Sequence, residues 1–513
     1  IHDFTCNDPF SILGAHPLET DVGIQTAVRV YIPGASFISG VFLESEQEFD
    51  LMKLGDTGFF EATLEREFEP ELYKLNITLE NGVKYSVIDP YAFTPILTEF
   101  DLHLLTGGTH YELYRKLGAN ILEHQGVEGV HFAVWAPSAR SLAVVGDFNS
   151  WDGRRHLMRS RGSTGIWEIF IPNLGAGELY KFEIHTQNGD LITKIDPVAK
   201  FAEMRPATSS IVMPLEGYEW GDEEWMNTKR ATDLFGAPVN IYEVHPGSWR
   251  RDPNDADRFL SWQELARDLI PYVKYMGFTH IELMPVMEHP LDESWGYQVT
   301  GYFAPSSRFG NPDDFRYFVD QCHQNDIGVI LDWVPAHFPK DDFALGRFDG
   351  NAQYEHADPR QGEHPHWGTY IFNYGRNEVS NFLISNAMYW LREFHCDGLR
   401  VDAVASMLYL DYGKEDGQWV ANKDGGNINY EALEFIKHLN SMMGKYAPHA
   451  IFIAEESTSF PSISRPPEQG GLGFHYKWNM GWMNDFLSYI EKEPVHRKYH
   501  HNNLTFSMIY AYT

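Results

Sequence analysis

Three short segments carry acids at the ends of apolar runs, in a fixed order: DWVPAH at 332–337, GLRVD at 398–402 and IFIAEES at 451–457. Each run reads as a buried parallel strand. Acids at the C-terminal ends of successive barrel strands converge on one point in space. Two convergent carboxylates are the minimum equipment for breaking a glycosidic bond. Arg400 and Asp402 are two apart, so in a strand they face the same side. The fixed charge of Arg400 then favours an ionised Asp402, the state a nucleophile at a sugar carbon requires. An isolated Arg-x-Asp is more often a structural ion pair; the place at a barrel strand end weighs against that here. Glu455 follows the apolar run 451–454, whose walls disfavour a charged carboxyl and suit a general acid. Glu456 is its rival, since local pattern does not separate the two. Asp332 ends another run, and His337 follows in a loop over the same site, placed to bind sugar hydroxyls.

These acids need a frame. From about residue 236 apolar strands alternate with amphipathic helices, the texture of βα units and a parallel sheet. Strands are expected at 239–244, 279–284, 328–333, 398–402 and 451–454, with a sixth near 474–478. Ser261 with Glu264 forms a capping box opening a helix that Gly277 closes and Pro271 should kink. Asn311-Pro312 reads as an N-cap with proline at the first helical position. A helical period runs from Val379 to Phe394. Eight strands close such a barrel, so the reading is a (β/α)8 barrel that is incomplete in this chain.

The first two hundred residues repeat themselves. Gly58-Phe59-Phe60-Glu61 returns as Gly165-Ile166-Trp167-Glu168, and Tyr73-Lys74-Leu75 as Tyr180-Lys181-Phe182. Asn81-Gly82 returns as Asn188-Gly189 and Asp89-Pro90 as Asp196-Pro197, all at an offset of 107. Leu13-Gly14-Ala15-His16 matches Leu117-Gly118-Ala119-Asn120 at 104. Repetition at this scale means tandem domains. Short alternating segments separated by Asn-Gly turns make each a β-sandwich. The expected organisation is multidomain: β-sandwiches at 1–104 and 105–230, then the barrel at 231–513, with a boundary in the polar stretch 220–232.

Composition excludes more than it selects. A formal charge of −32 argues against nucleic acid and anionic membranes, but a neutral polysaccharide feels no such repulsion. Fourteen Trp and twenty-seven Tyr allow stacking on sugar faces, although most must simply pack the core. Cys6, Cys322 and Cys396 lie far apart, which favours a reducing compartment, the cytoplasm. No apolar run approaches the length of a membrane span.

The three signatures resemble those of the α-amylase superfamily of glycoside hydrolases and transglycosylases, at intervals of 402 − 332 = 70 and 455 − 402 = 53. Within it the chain is most similar to the 1,4-α-glucan (glycogen) branching enzymes. WGYQVTGYFAP at 295–305, HPHWGTYIFNYGRNEV at 364–379 and the tandem sandwiches, the second like a glycogen-binding module, carry that likeness. The resemblance implies that Asp402 is the nucleophile, Glu455 the general acid and then base, and that Arg400 holds Asp402 ionised. It implies that Asp332, His337 and Tyr297 shape the donor-sugar subsite, with Tyr297 as a stacking platform. The carboxyls should lie about 5 Å apart, as retention requires. The expected reaction cuts an α-1,4-glucan and transfers the fragment to a 6-hydroxyl, in glycogen or starch synthesis. Its partners would be amylose, amylopectin or glycogen, with no cofactor or metal, on a monomer.

The family's fourth signature, a His-Asp pair, is not in the chain, and NLTFSMIYAYT at 503–513 resembles the stretch before it. The reading is therefore a partial chain, inactive by itself. Trp151 in GDFNSWDG at 146–153 could stack on glycan or simply anchor a turn. His364, His366, His500 and His501 lack metal-ligand spacing and read as solvated surface. Two other functions remain open: a debranching or trehalose-releasing hydrolase, and a non-catalytic glycan-binding protein. The doubled sandwich counts against the first, and the joint presence of Arg400, Asp402 and Glu455 against the second.

Overall fold

The computed structural model describes residues 6–21, 23–231, 233 and 235–506. Residues 507–513 of the C-terminal motif therefore lie outside the described residues. Two compact units emerge. One comprises 1–217 with 301–304 and 341–354; the other comprises 218–300, 305–340 and 355–513.

The first unit holds the two repeats. In the first repeat, seven antiparallel strands run in the order Gly14–Thr20, Gly23–Tyr31, Phe59–Leu64, Glu48–Leu54, Ala35–Phe42, Tyr73–Leu79 and Lys84–Ile88. Alternate residues of both halves, Val28, Val30, Phe60, Ile38, Phe42, Tyr73 and Leu75 among them, meet in one core. The period-2 pattern thus folds the sheet over its own apolar face. The second repeat has two four-stranded sheets, one built on Val127–Trp135 and one on Leu179–Thr186. Phe132 of the first meets Tyr180 of the second edge-on at 5.0 Å. The Asn-Gly pairs turn the corresponding hairpins, Asn81-Gly82 before Lys84–Ile88 and Asn188-Gly189 before Leu191–Lys194.

The repeat extends to contacts that sequence does not display. Gly14 and Gly118 both open a strand at positive φ, 98° and 82°. A Cβ on Gly14 would lie 2.6 Å from the Tyr91 carbonyl oxygen, and one on Gly118 would lie 3.1 Å from that of Val198. Tyr91 and Val198 are themselves 107 apart, so the same backbone crossing is built twice, and only glycine fits it.

The second unit is built on a six-stranded parallel sheet. Its strands, in sequence and spatial order, are β1 (Ile241–Val244), β2 (His280–Leu283), β3 (Gly328–Trp333), β4 (Gly398–Val401), β5 (Ile451–Ala454) and β6 (Tyr476–Lys477). Helices α1 (Trp262–Met276), α2 (Pro312–His323), α3 (Asn377–Glu393), α4 (Val404–Leu408) and α5 (Tyr430–Tyr446) alternate with them. The expected signals position the helices: Ser261 and Glu264 cap α1 reciprocally, and Gly277 ends it in the left-handed region. α1 continues through Pro271 to Met276. Asn311 caps α2 through Asp313 and Asp314. Trp262, fully buried, packs on Phe315 of α2 at 4.7 Å. Truncating such a tryptophan to Ala costs about 3–5 kcal/mol. The polar stretch expected to hold the domain boundary contains a helix, Glu223–Ala231.

Strand register does the positioning. Asp332 of β3 is the direct neighbour of Arg400 of β4, and Arg400 of Ile453 of β5. Residues two apart share a face, so Ile330 lies below Asp332, and Ile451 and Ile453 below Glu455. Ile330, Ile451 and Ile453 form the buried floor, with Ile241, Tyr476 and Trp478 packed against it.

Candidate active site

Asp402 is the first residue past β4 and Glu455 the first past β5. Their amides extend the ladder: Asp402 N–H donates to the Trp333 carbonyl at 2.9 Å and Glu455 N–H to that of Val401 at 3.0 Å. Both acids are therefore held by backbone before their side chains make any contact. Ala403, between Asp402 and α4, adopts φ 51° and ψ 40°, a conformation rarely populated by non-glycine residues. Its N–H is thereby aimed at the Glu455 carboxylate, donating to Oε2 at 2.7 Å.

Arg400 is the hub. Its Nη1 donates to Asp332 Oδ1 at 2.6 Å and to Asp402 Oδ1 at 2.7 Å, and its Nη2 lies 3.5 Å from Glu455 Oε2. The Tyr297 hydroxyl donates to Asp332 Oδ2 at 2.6 Å. His337 Nε2 lies 3.9 Å from Asp402 Oδ2 and its ring rests 5.1 Å from that of Trp367. Tyr297, His337, Trp367, Arg400, Asp402 and Glu455 line an open cavity of about 520 Å³. The structure thus gathers all six barrel residues singled out in the sequence. Asp332 stands apart in one respect: it is 2% exposed and does not line the cavity, so it acts on the site through Arg400 and Tyr297.

Two effects oppose each other at Asp402. Burial pushes its carboxyl above the usual range, and Arg400 offsets only part of that. Asp332, buried deeper, is pushed well above; Arg400 opposes this and the charge of Asp402 adds to it. One guanidinium serves three carboxyls, so it does not hold each as it would hold one alone. Burial lowers His337 to about 4, so its imidazole is neutral at neutral pH and can donate or accept toward a sugar hydroxyl.

The two rival acids separate cleanly. Glu455 faces the cavity, while Glu456 is fully buried, bonded to Thr458 N–H at 2.8 Å and paired with Lys477 of β6 at 2.8 Å. Glu455 does not sit among apolar walls as expected. It lies past the apolar run, between the Ala403 N–H and Arg400. Three residues that sequence reasoning missed belong here. Trp367 and Tyr412 come from loops without a period to reveal them, and both line the cavity. Glu282 of β2 is 1% exposed, and burial and Glu243 raise it to about 7 against the pull of Arg400. Its signal was a lone acid inside an apolar strand. His364, expected on the surface, is 4% exposed with its ring 4.4 Å from Trp367. Among the described residues no cluster of His, Cys, Asp or Glu is arranged to hold a metal ion. None of their helices is long and apolar enough to cross a membrane. Trp151 lies in the first unit; its indole N–H donates to Asp147 Oδ1 at 2.8 Å and the residue is 38% exposed.

Comparison with known proteins agrees with this geometry. Residues 1–91 match the family described as alpha-1,4-glucan branching enzyme GlgB, N-terminal domain. Residues 116–199 match carbohydrate-binding module 48 (isoamylase N-terminal domain), and 262–360 match the alpha amylase catalytic domain. The 1,4-alpha-glucan branching enzyme GlgB of Hydrogenovibrio crunogenus is 55% identical over 99% of this chain and 69% of its own length. Those of Cellvibrio japonicus and Thermosynechococcus vestitus are 54% and 52% identical, each over 99% of this chain and 69% of their own length. A crystal structure of a putative alpha amylase from Salmonella typhimurium superimposes with a TM-score of 0.55 at 23% identity, over 73% of this chain and 55% of that one, which supports the fold. The chain belongs to the 1,4-alpha-glucan branching enzyme GlgB family, within the α-amylase superfamily.

Proposed function

We propose that Asp402 and Glu455 carry out the branching reaction by double displacement: cleavage of an α-1,4-glucan, then transfer of the fragment to a 6-hydroxyl. The observation that carries this is the Arg400 fork, which ties buried Asp332 to Asp402 and sets Asp402 and Glu455 on one open cavity. Arg400 fixes Oδ1 of Asp402, leaving Oδ2 toward His337. In the first step Glu455 gives its proton to the glycosidic oxygen as Asp402 attacks the anomeric carbon. The C–O bond to the leaving chain breaks and an ester to Asp402 forms. In the second step Glu455 takes the proton of an acceptor 6-hydroxyl, whose oxygen attacks the same carbon and releases Asp402. Two inversions retain the α configuration. Arg400 stabilises the carboxylate as it departs, and preorganised charge of this kind is often the largest single contribution to rate.

Tyr297 presents its ring to the donor sugar while Asp332 fixes its hydroxyl. His337 and Trp367 form the facing wall. Amylose, amylopectin and glycogen all offer the α-1,4 chains such a site needs, and Trp151 offers a second contact to them in the carbohydrate-binding module. The three free thiols, two of them buried, favour a reducing cytoplasm. The test is amylose incubated with the whole protein. Branching lowers the iodine colour without a proportional release of reducing ends, and proportional release would mean a hydrolase instead.

A further inference from the structure

A second cavity, of about 240 Å³, opens beside the first in the same unit. The segment 292–297 is a wall common to both. Ser294 and Tyr297 face the larger cavity, whereas Asp292, Glu293 and Trp295 face the smaller. Trp295 adopts φ 54° and ψ 21°, an uncommon conformation for so bulky a residue, and the residue is 60% exposed at the cavity edge. The strain is locked in: Trp295 N–H donates to the Asp292 carbonyl at 3.1 Å. The adjoining Gly296 passes so close to Pro285 that a Cβ would lie 2.2 Å from its carbonyl oxygen. Strained residues held this firmly cluster at ligand clamps.

The chemistry of the lining narrows the ligand. Arg308 is already engaged, donating to Glu288 Oε1 at 2.9 Å and to Asp292 Oδ1 at 2.8 Å. Arg251 stacks 4.1 Å over Phe259 and faces the same space as Glu293. Burial holds His245 below its ordinary value and His289 at about 4, so both are neutral at pH 7. Two cations, Arg251 and Arg308, among two carboxylates, Asp292 and Glu293, leave the lining no net charge to attract a phosphate or an ammonium group. An exposed indole above a balanced polar lining suits a neutral polyhydroxyl ring.

We propose that this cavity is a second sugar subsite, in which Trp295 stacks on a ring of the α-glucan lying beyond the reacting centre. The proposal rests on the α-glucan reading above. The test uses the whole protein carrying Asp402→Asn to stop turnover and Trp151→Ala to silence the remote module, with calorimetric titration of maltoheptaose and of maltose. Adding Trp295→Ala should weaken maltoheptaose about five- to tenfold, as expected for one lost stacking contact, and leave maltose within about twofold. Trp295→Phe should recover most of the loss, because the ring remains. Unchanged maltoheptaose affinity, or equal loss for both sugars, overturns the subsite while leaving the α-glucan reading intact. Failure of the parent protein to bind either sugar overturns both.

Discussion

Asp196 in the second sandwich and Asp402 in the barrel are both almost wholly withdrawn from water, yet they are held by opposite means. Asp196, 1% exposed, accepts from the Tyr180 hydroxyl at 2.6 Å and from the Val198 amide at 2.9 Å. Asp89 of the first sandwich repeats the arrangement with the Tyr73 hydroxyl and the Tyr91 amide. The groups that hold these acids are a phenol and a turn, and burial raises each carboxyl to about 6. Asp402 and Asp332 are instead joined by a permanent cation, and Asp402 opens onto a cavity. A phenol can anchor an acid but cannot follow a change in its charge. A guanidinium shared among acids can stabilise a carboxylate that is consumed and regenerated. Burial therefore marks both kinds of site, and the partner distinguishes structure from chemistry.

The comparison breaks most visibly at the acids themselves. Asp402→Asn should lower branching on the order of 10⁴-fold or more, as loss of a covalent nucleophile does. Folding should survive, because an amide fits where burial already disfavours the charge, and the melting temperature checks this. Asp196→Asn should leave the rate per folded molecule unchanged. Should Asp402→Asn retain activity near that of Asp196→Asn, the division between the two kinds of acid is wrong. Arg400→Lys comes next. A lysine keeps the charge but not a fork able to reach Asp332 and Asp402 together. A loss of about 10²–10³-fold in kcat is expected, since removal of one preorganised donor has that size.

A pH series separates the two kinds by stability. Asp196 carries an ordinary carboxyl when unfolded and one raised to about 6 when folded. The folded state thus binds the proton more tightly. The contribution is full below the ordinary carboxylate range, is lost as pH climbs toward 6, and stays flat above. At 1.36 kcal/mol per pH unit the loss reaches about 3 kcal/mol at most. Asp196→Asn should therefore gain stability over wild type at pH 7 and lose that gain near pH 4, followed by urea unfolding at each pH. A gain independent of pH would show that the carboxyl does not titrate across folding.

Much of this frame was legible in the chain, because local rules fixed it. Capping at Ser261 and Asn311 and the Asn-Gly hairpins depend on neighbours a few residues away, and they stand where the spacing put them. The parallel strands were legible for the same reason, to within a residue or two. What was not legible depends on distant partners. Glu455 and Glu456 follow one apolar run, and their roles separate only when Lys477 of the next strand meets Glu456 and the left-handed Ala403 turns its amide to Glu455. Arg400 was assigned in the sequence to one acid, Asp402, whereas the sheet register gives it Asp332 as well. Glu282 stood in the pattern as an inward-facing acid, but nothing local placed Arg400 near it.

The finest test of the comparison lies in two tyrosines that make the same bond. Tyr180 and Tyr297 each donate a hydroxyl to a buried aspartate at 2.6 Å. Tyr180→Phe leaves the Asp196 carboxylate short of a donor, which costs about 1–3 kcal/mol, and no cation compensates through a shared fork. Its effect should fall on thermal stability, with kcat and KM for amylose unchanged in the folded fraction. Tyr297→Phe removes the same hydroxyl from Asp332, but Arg400 still holds the other oxygen, so stability should change by less. The cost should fall on turnover, about tenfold in kcat/KM. The Tyr297 ring remains to meet the donor sugar, but its angle and the balance of charge around Arg400 both shift. If the two variants lose stability alike and neither loses turnover, Tyr297 is an anchor like Tyr180, and the Arg400 cluster extends no further than its carboxyls.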